Sequence, residues 1–473
     1  MTSSYPYRFD VTAHAGDLLR RFESLEPEQE AGATVTVAGR LKTVRTHGKV
    51  AFADLVDSTG RIQLFAQHAV IGDAGMAAFA ALGVGDIVGA EGDVVRTKRG
   101  ELSVRVTSIV LLAPCERPMP DSWHGLADVE VRYRQRYLDL LVNPAARRAL
   151  EARAVANSTV RSFLGDRGFI EVETPLLQPI AGGAIARPFV THHNALDIDL
   201  YLRIAPELYL KRLLIGGFEK VYELNRSFRN EGVSARRNPE FTMLEAYEAY
   251  ADYNDTMTLV ESLVRAIAEP LGAQALEIGD DEIDLAAPFR RLTMFEAIAE
   301  ITGSDLEEAW RSGDEHDLRA AAKSLGVETS ESSSRGRLML EIFETTTERS
   351  LIRPTFVVGF PKDVSPLARD HRAIEGFTEH ADLIIGGLEI APVYSELNDP
   401  AEQRRRFEQQ ARARAAGEED AQLPDEEFLE ALHYGMPPAG GFGLGIDRLL
   451  TVLLGLPSLR EVILFPTLKP ERP

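Results

Sequence analysis

Residues 33 to 113 consist of short apolar runs broken by turn signals: TVTVAGRLKTV, KVAFADLVD, RIQLFAQ, DIVGAEGDVVRT and LSVRVTSIVLLA. Each is too brief for a stable helix, and the content of Val, Ile and Thr suits a pleated surface. STG at 58–60 and KRG at 98–100 supply turns. Five strands in so short a stretch, with one helix-like interruption at AGMAAFAALG, bury their apolar faces by closing on one another into a small barrel. A short amphipathic helix, roughly residues 13 to 25, is expected ahead of the barrel within an N-terminal segment, 1–32.

A five-stranded barrel of this size is of the OB type, an architecture that binds single-stranded nucleic acid through an aromatic and basic face. Phe52 and Phe65 are candidates for stacking on bases, although their alternating positions suit a core equally well. Basic residues gather in the same region, at Arg40, Lys42, Arg45, Lys49, Arg61 and the run RTKR at 96–99. Taken alone, they describe solvated strand faces and a hairpin tip. The whole chain carries a formal net charge of −21, which excludes a protein that coats nucleic acid by bulk attraction but leaves room for a local site.

At 473 residues the chain is long enough for two or three domains. APCERPMPDSWHG, 113–125, is proline-rich and polar and reads as a linker, taken as 114–128. From 129 to 473 the pattern becomes α+β, with helical segments interleaved with FIEVETP, LYLRI, KVYELN, FTMLEAY, TFVVGF, ADLIIGG and APVYSEL. Residues 296–350 are polar and helix-rich and are expected as an insertion on the main sheet. Glu402 to Glu419 reads as a charged, solvated helix. The single cysteine, Cys115, excludes a disulfide framework and a zinc site built on cysteine pairs. The N-terminus has no basic start followed by an apolar run, and LLTVLLGL near 450 is far too short to span a bilayer, so a cytoplasmic protein with no membrane partner is expected.

The remaining motifs suit a reaction between two anions. If a carboxylate is to attack the α-phosphate of ATP, the site must first neutralise charge at the reacting atoms. That requires a guanidinium on the α-phosphate and carboxylate, a second cation on the γ-phosphate, Mg2+ held by carboxylates, and an aromatic platform for adenine. FRNEG places Arg229 and Glu231 two residues apart at the end of a strand, on one face. NPEFTMLEAY returns as the next strand and offers Phe241. GGFGLGIDRL sets small residues against a nucleotide-sized space and leads to Arg448 at the start of a helix. Asp382 and Glu389 flank the apolar strand of ADLIIGGLEI, as a metal pair would.

Each piece also has an ordinary structural reading. A glycine run such as GFGLG is usually a tight turn. Arg229 with Glu231 is compatible with a plain ion pair, and Asp382 and Glu389 with helix caps or surface carboxylates. THH at 191–193 is a poor metal motif, because adjacent histidines on a strand point to opposite faces.

Together, GFIEVETP (168–175), FRNEG…RRNPEF (228–241) and GFGLGIDR (441–448) resemble motifs 1, 2 and 3 of the class II aminoacyl-tRNA synthetases, within which the match is to the lysyl-tRNA synthetase family. The resemblance runs from VAGRLKT through HGLADVEVRYRQRYLDLL, ARPFVTHHNALD, LYLRIAPELYLKRLLIGGFEKVYELNR, PTFVVGFPKDVSPLAR and SELND to YGMPP. It implies an OB-type anticodon-binding domain, 33–113, followed by a class II catalytic domain on a mainly antiparallel sheet. It also implies ATP-dependent activation of lysine to lysyl-adenylate, transfer to the 3′ end of tRNA(Lys), and a homodimer with Pro175 at its interface.

By the same resemblance, Arg229 bridges the substrate carboxylate and the α-phosphate, Glu231 binds the adenine amino group, Phe241 stacks on the base and Arg448 holds the γ-phosphate. Arg237 and Asn238 lie by the nucleotide, and Asp382 and Glu389 coordinate Mg2+. Gly183 and Glu207 receive the α-amino group. Glu245, Tyr247 and Glu396 form the polar pocket for the side-chain ammonium, with Tyr394 on the lysine stem. A buried carboxylate selects lysine because a neutral side chain would leave that charge unpaired. Arg45, Phe52 and Gln63 match anticodon-reading positions, which gives the basic early region a function.

The departures from the family cluster around the amino-acid pocket. Where relatives read GGREI and an NGFSELND-type run, this chain reads GGLEIAPVYSELND. Leu388 replaces an arginine, Pro392 an asparagine that helps hold the substrate carboxylate, Val393 a glycine and Tyr394 a phenylalanine. TEHADLIIGG replaces a TDRFE-type run, with Asp382 keeping a carboxylate, and Arg237 stands where histidine is usual. Proline removes an amide donor, valine is expected to add a branched side chain beside the ligand, and one hydrogen bond to a charged group is worth about 1.5–3 kcal/mol. Three functions stand as alternatives: lysine activation, activation of a lysine-like amino acid by a paralogue, and a catalytically silent tRNA-binding or regulatory protein. The intact barrel favours tRNA as the acceptor, since family relatives that modify proteins lack it.

Overall fold

A computed structural model of the chain describes residues 5–120, 126–184, 186–330, 333–415 and 424–471. It divides into two compact units, 1–127 and 128–473. The end of the proline-rich segment, 121–125, and residues 416–419 of the charged helix lie outside the described residues; that helix runs Pro400–Ala415.

In the first unit, Glu30–His47, Val50–Val56, Arg61–Gln67, Leu102–Ala113 and Ile87–Arg96 close in that order into a barrel. Arg61–Gln67 and Leu102–Ala113 pair in parallel, and the helix His68–Ala80 lies in the crossover between them. The first strand is 18 residues long with a register shift at Leu41–Thr43, so one strand bends round to pair with two neighbours. Val37, Leu55, Leu64, Val88 and Val104 fill the interior with Phe79. The two-residue period then turns Phe52 and Phe65 outward, so neither is core. The leading helix, Ala15–Arg21, is shorter than the 13–25 expected and is pinned by Ala15 N–H to Asp57 (2.7 Å) and Gly16 N–H to Thr59 (2.8 Å).

The second unit is built on an eight-stranded sheet ordered Arg290–Thr293, Thr355–Pro361, Phe377–Ile385, Leu388–Ser395, Ala439–Gly445, Glu240–Ala249, Lys220–Phe228 and Ile170–Glu171. Only the outermost pair at each end is parallel; the pairs between are antiparallel. The parallel pair Arg290–Thr293 and Thr355–Pro361 needs a long crossover. Helices Met294–Thr302, Glu307–Arg311, Glu315–Ser324 and Arg335–Thr346 provide it, over their own apolar cluster around Ile298, Leu318 and Ile342. FIEVETP, expected as a strand, contributes only Ile170–Glu171.

Helices Pro144–Gly165, Tyr253–Ala268 and Ile446–Leu453 supply the side chains that pack on one face of the sheet. Alternation therefore sorts each strand: Leu244 and Ala246 enter that core, while Met243, Glu245 and Tyr247 face a cavity on the other side. Gly386 and Gly387, with φ of 63° and 67°, form the two-residue turn joining Phe377–Ile385 to Leu388–Ser395. No helix among the described residues is long and apolar enough to cross a membrane.

Candidate active site

The open face of the sheet carries a cavity of about 930 Å³. Gly183, Glu207, Arg229, Glu231, Arg237, Asn238, Phe241, Glu245, Tyr247, Asp382, Glu389, Tyr394 and Arg448 all line it. Of the residues proposed from sequence for the catalytic domain, Glu396 alone lies elsewhere, on a second cavity of about 420 Å³. Residues from 183 to 448 meet here because five strands and their connections converge on one face.

Arg229 sits one residue past the strand Lys220–Phe228, so it and Glu231 belong to the loop and not to the strand end. Its backbone N–H donates to Pro239 O at 2.8 Å, closing that loop. Its guanidinium stands 5.2 Å from the Phe241 ring centre, and its Nε is buried without a hydrogen-bond partner. An unsatisfied cationic donor in a dry wall suits an incoming anion. Glu231 is exposed, 3.7 Å from Arg237. Asn238 is buried and donates to Glu240 O at 2.6 Å, leaving its Oδ1 without a partner.

Arg448 is aimed by its neighbour. Asp447 accepts Thr242 N–H at 2.8 Å and pairs with Arg153, locking the first turn of Ile446–Leu453 to the strand Glu240–Ala249. Arg448 then donates to Glu389 O at 3.0 Å and lies 3.4 Å from the Glu389 carboxylate. Burial pushes the Asp382 carboxyl up, more than the His380 ring beside it pulls it down. Burial acts on Glu389 too, but Arg448 and Arg229 hold it below the usual carboxylate range. Glu348, from the crossover, is pushed up to about 7 by burial and then by Glu389, Asp382 and Glu344. The crossover thus brings further carboxylates to this pair, which the sequence reading missed. Among the described residues, no three His, Cys, Asp or Glu side chains are grouped to hold a metal unaided.

The other end of the cavity is acidic and dry. Gly183 has φ 84°, and a Cβ there would stand 3.0 Å from the Glu207 Cβ, so the backbone approaches that side chain closely. Burial, then Glu207, pushes Glu245 up to about 8; the Tyr247 hydroxyl donates to it at 3.3 Å. Lys211, fully buried, places Nζ 2.6 Å from Glu207 Oε1 and 2.5 Å from Glu396 Oε2. This lysine was not singled out from sequence, because LYLKRLL reads as an ordinary helix; its place four residues after Glu207 was the available signal. Glu396 Oε1 rests over Gly441, where a Cβ would meet it at 2.2 Å and the Tyr247 ring at 2.5 Å. The first glycine of GFGLG therefore makes room for pocket side chains, while Gly443 and Gly445 line the cavity itself.

Two expected departures leave the pocket. Val393 does not stand beside a ligand: it pairs with Phe442 and is buried in the core, because in a strand it must face away from Pro392 and Tyr394. Leu388 likewise joins the core. Pro392 and Tyr394 remain on the cavity wall. His192 and His193 are exposed; His192 bonds Asp199 at 2.8 Å and His193 accepts Leu196 N–H at 3.2 Å.

On the barrel, Arg45, Phe52 and Phe65 sit on three successive strands in register, on the outer face. The two rings stack at 5.0 Å and 8°. Gln63 accepts Ser103 O–H at 3.0 Å, and Arg45 lies 3.8 Å from Asp54. Other basic residues are structural: Arg40 donates to Gly85 O and Arg96 to Gly100 O. The face thus offers a stacked aromatic platform rimmed by polar groups.

Residues 128–469 match the family described as tRNA synthetases class II (D, K and N), and residues 35–112 match the OB-fold nucleic acid binding domain. The lysine–tRNA ligase of Moorella thermoacetica is 53% identical over 464 residues, covering 98% of this chain and 93% of that protein. That of Gloeobacter violaceus is 50% identical over 473 residues, covering 99% and 95%. Matched over nearly its full length, the chain belongs to the class II tRNA synthetases, in the family of the lysine–tRNA ligases.

Proposed function

We propose that the chain activates lysine with ATP to form lysyl-adenylate and then transfers the lysyl group to the 3′ end of tRNA(Lys). The observation that carries this reading is the place of Arg229. It lies between an acidic pocket suited to ammonium groups and a half-cavity of cations and an aromatic ring suited to a nucleotide. The lysine carboxylate oxygen attacks the α-phosphorus, a P–O bond forms, and pyrophosphate leaves with the electrons of the bond that breaks. Arg229 neutralises the two approaching anions, and Arg448 is suited to the γ-phosphate. Phe241 is suited to the base, with Glu231, Arg237 and Asn238 around it.

Gly183 and Glu207 are suited to the α-amino group, with Glu245, Tyr247 and Tyr394 around the side chain. Glu396 acts through Lys211, which neutralises it. Asp382 and Glu389 fit Mg2+, an ion that takes one or two protein carboxylates and completes its shell with waters and phosphate oxygens. Bound there, it would neutralise phosphate charge. The core positions of Val393 and Leu388 support lysine over an analogue, since they take two of the changes away from the pocket wall.

The barrel face of Arg45, Phe52 and Gln63 is suited to the anticodon. Exposed Ile170 on the short edge strand, exposed Leu176, and exposed Leu177, Val190 and Ile198 of the three-stranded sheet Leu177–Gln178, Ile198–Leu202 and Val190–His193 leave apolar surface near Pro175 in sequence, which supports a homodimer. We place the enzyme in the cytoplasm, with its tRNA. Amino-acid-dependent pyrophosphate exchange across the standard amino acids and several lysine analogues tests the reading. Exchange with lysine supports it, exchange with an analogue alone moves it to a paralogue, and no exchange favours a silent tRNA binder.

A further inference from the structure

His380 has no part in the roles assigned above, yet it is held on every side. It is 9% exposed. Its ring lies between Phe360, at 4.1 Å and 30°, and Tyr394, at 4.5 Å and 30°. Phe360 is in turn set edge-on to Phe343 of the helical crossover, at 6.2 Å and 84°. Both ring nitrogens are engaged: Nδ1 with Ser365 Oγ at 2.9 Å and Nε2 with Asp382 Oδ1 at 2.9 Å. With a carboxylate at Nε2 the ring donates there, and Nδ1 accepts the Ser365 hydroxyl. Two faces and two edges are therefore fixed, and the ring has no freedom to tilt.

Tyr394 is the cross-strand partner of His380. Its hydroxyl makes no hydrogen bond among the described residues, so its place on the cavity wall is set by packing. Asp382, on the other side of the imidazole, belongs to the ATP end. The side chain thus touches both halves of the site at once.

We propose that His380 is a positioning residue for both substrates, its ring face setting Tyr394 as a wall of the amino-acid pocket and its Nε2 setting Asp382 on the nucleotide side. This rests on the site reading given above. It makes one departure that lines the cavity, the imidazole, the physical support of another, the tyrosine stacked on it.

The link separates experimentally, because phenylalanine keeps the stack and loses both nitrogens. Lysine affinity is measured by calorimetry without nucleotide, and Mn2+ affinity by electron paramagnetic resonance with a non-hydrolysable ATP analogue. His380→Phe is expected to hold the lysine Kd within about twofold while weakening Mn2+ about tenfold, the scale of one hydrogen bond to a charged group. His380→Ala weakens both about tenfold. The double variant His380→Ala/Tyr394→Ala binds lysine no worse than Tyr394→Ala alone, because the two act as one unit.

An unchanged lysine Kd in His380→Ala, or additive losses in the double variant, overturns the proposal. If His380→Ala does not fold, Ser365→Ala removes only the Nδ1 partner; it should weaken Mn2+ by about threefold and hold the lysine Kd within about twofold, and an unchanged Mn2+ affinity overturns the proposal. Should Tyr394→Ala and Glu207→Gln both leave lysine affinity unchanged, it is the site reading that fails.

Discussion

Lys211 Nζ lies 2.5 Å from Glu396 Oε2, and neither side chain is open to solvent. With Glu207 at 2.6 Å on its other side, the lysine bridges a carboxylate of the acidic pocket to the buried Glu396 behind it. Burial works to lower its pKa, but Glu207 and Glu396 together raise it, so the ammonium stays charged. An incoming substrate therefore meets a pocket whose charge is already partly neutralised from within.

Lys211→Met leaves Glu396 buried without its counter-charge. Breaking one side of a buried pair costs about 3–5 kcal/mol, so the variant should show a clearly lowered melting temperature and a raised KM for lysine. A melting temperature unchanged from the parent would contradict the assigned role.

Glu245 gives the site a pH dependence. Its carboxyl is pushed up to about 8 from the ordinary 4.5 by burial first and Glu207 second. Between those values the folded protein keeps a proton that the unfolded chain has released, so this group's contribution to stability falls as pH rises through the window. Facing an ammonium, the group must ionise, and lysine binding below about 8 releases a proton. The KM for lysine should fall from pH 6 to pH 8, by at most about tenfold per unit. Glu245→Gln should flatten that profile and melt higher than the parent at pH 8.5; a profile that stays steep assigns the titration elsewhere.

Arg229→Ala should lower lysine-dependent pyrophosphate exchange by about 10²–10³ or more, the scale of losing one preorganised charge donor at the reacting atoms. The fold should survive, because the loop is closed by the Arg229 backbone N–H, which alanine retains. Arg229→Lys should not restore activity, since a point charge does not span two anions as a planar fork does. Exchange near the parent rate in either variant would remove Arg229 from the chemistry.

Phe52→Ala removes half of the stacked pair on the barrel. Stacking on a base is worth about 1–3 kcal/mol, so KM for tRNA should rise several-fold or more while pyrophosphate exchange holds. Equal loss of both activities would argue against a role in reading tRNA.

The loop from Phe228 to Phe241 was readable because it is a local object: one hairpin carries Arg229, Glu231, Asn238 and Phe241 to the same cavity. Asp382 and Glu389 do not flank a single apolar strand as expected: Gly386 and Gly387 turn the chain between them, so they stand on two paired strands. Val393 was misplaced because APVY is apolar at both parities, so the string itself does not say which residues face the core. Only pairing with Phe442 settles that register. The crossover carboxylates Glu344, on the helix Arg335–Thr346, and Glu348, in the turn after it, were missed because they reach the site through the packing of a segment whose own sequence reads as polar.

Residue types and short spacings alone carried the demand for charge neutralisation around ATP, the turns, and the five-strand barrel, since these depend on neighbours within a few positions. The resemblance to the family, and not spacing, located the unusual pocket segment, Pro392 to Glu396. Which carboxylates at that pocket are free to meet a substrate emerged only once the helix Glu207–Ile215 packed against the sheet and joined Lys211 to Glu396, and once the pairing of Phe377–Ile385 with Leu388–Ser395 stacked His380 on Tyr394. Coulomb energy depends on separation and on the exclusion of water, and neither quantity is carried by the order of residues along a chain.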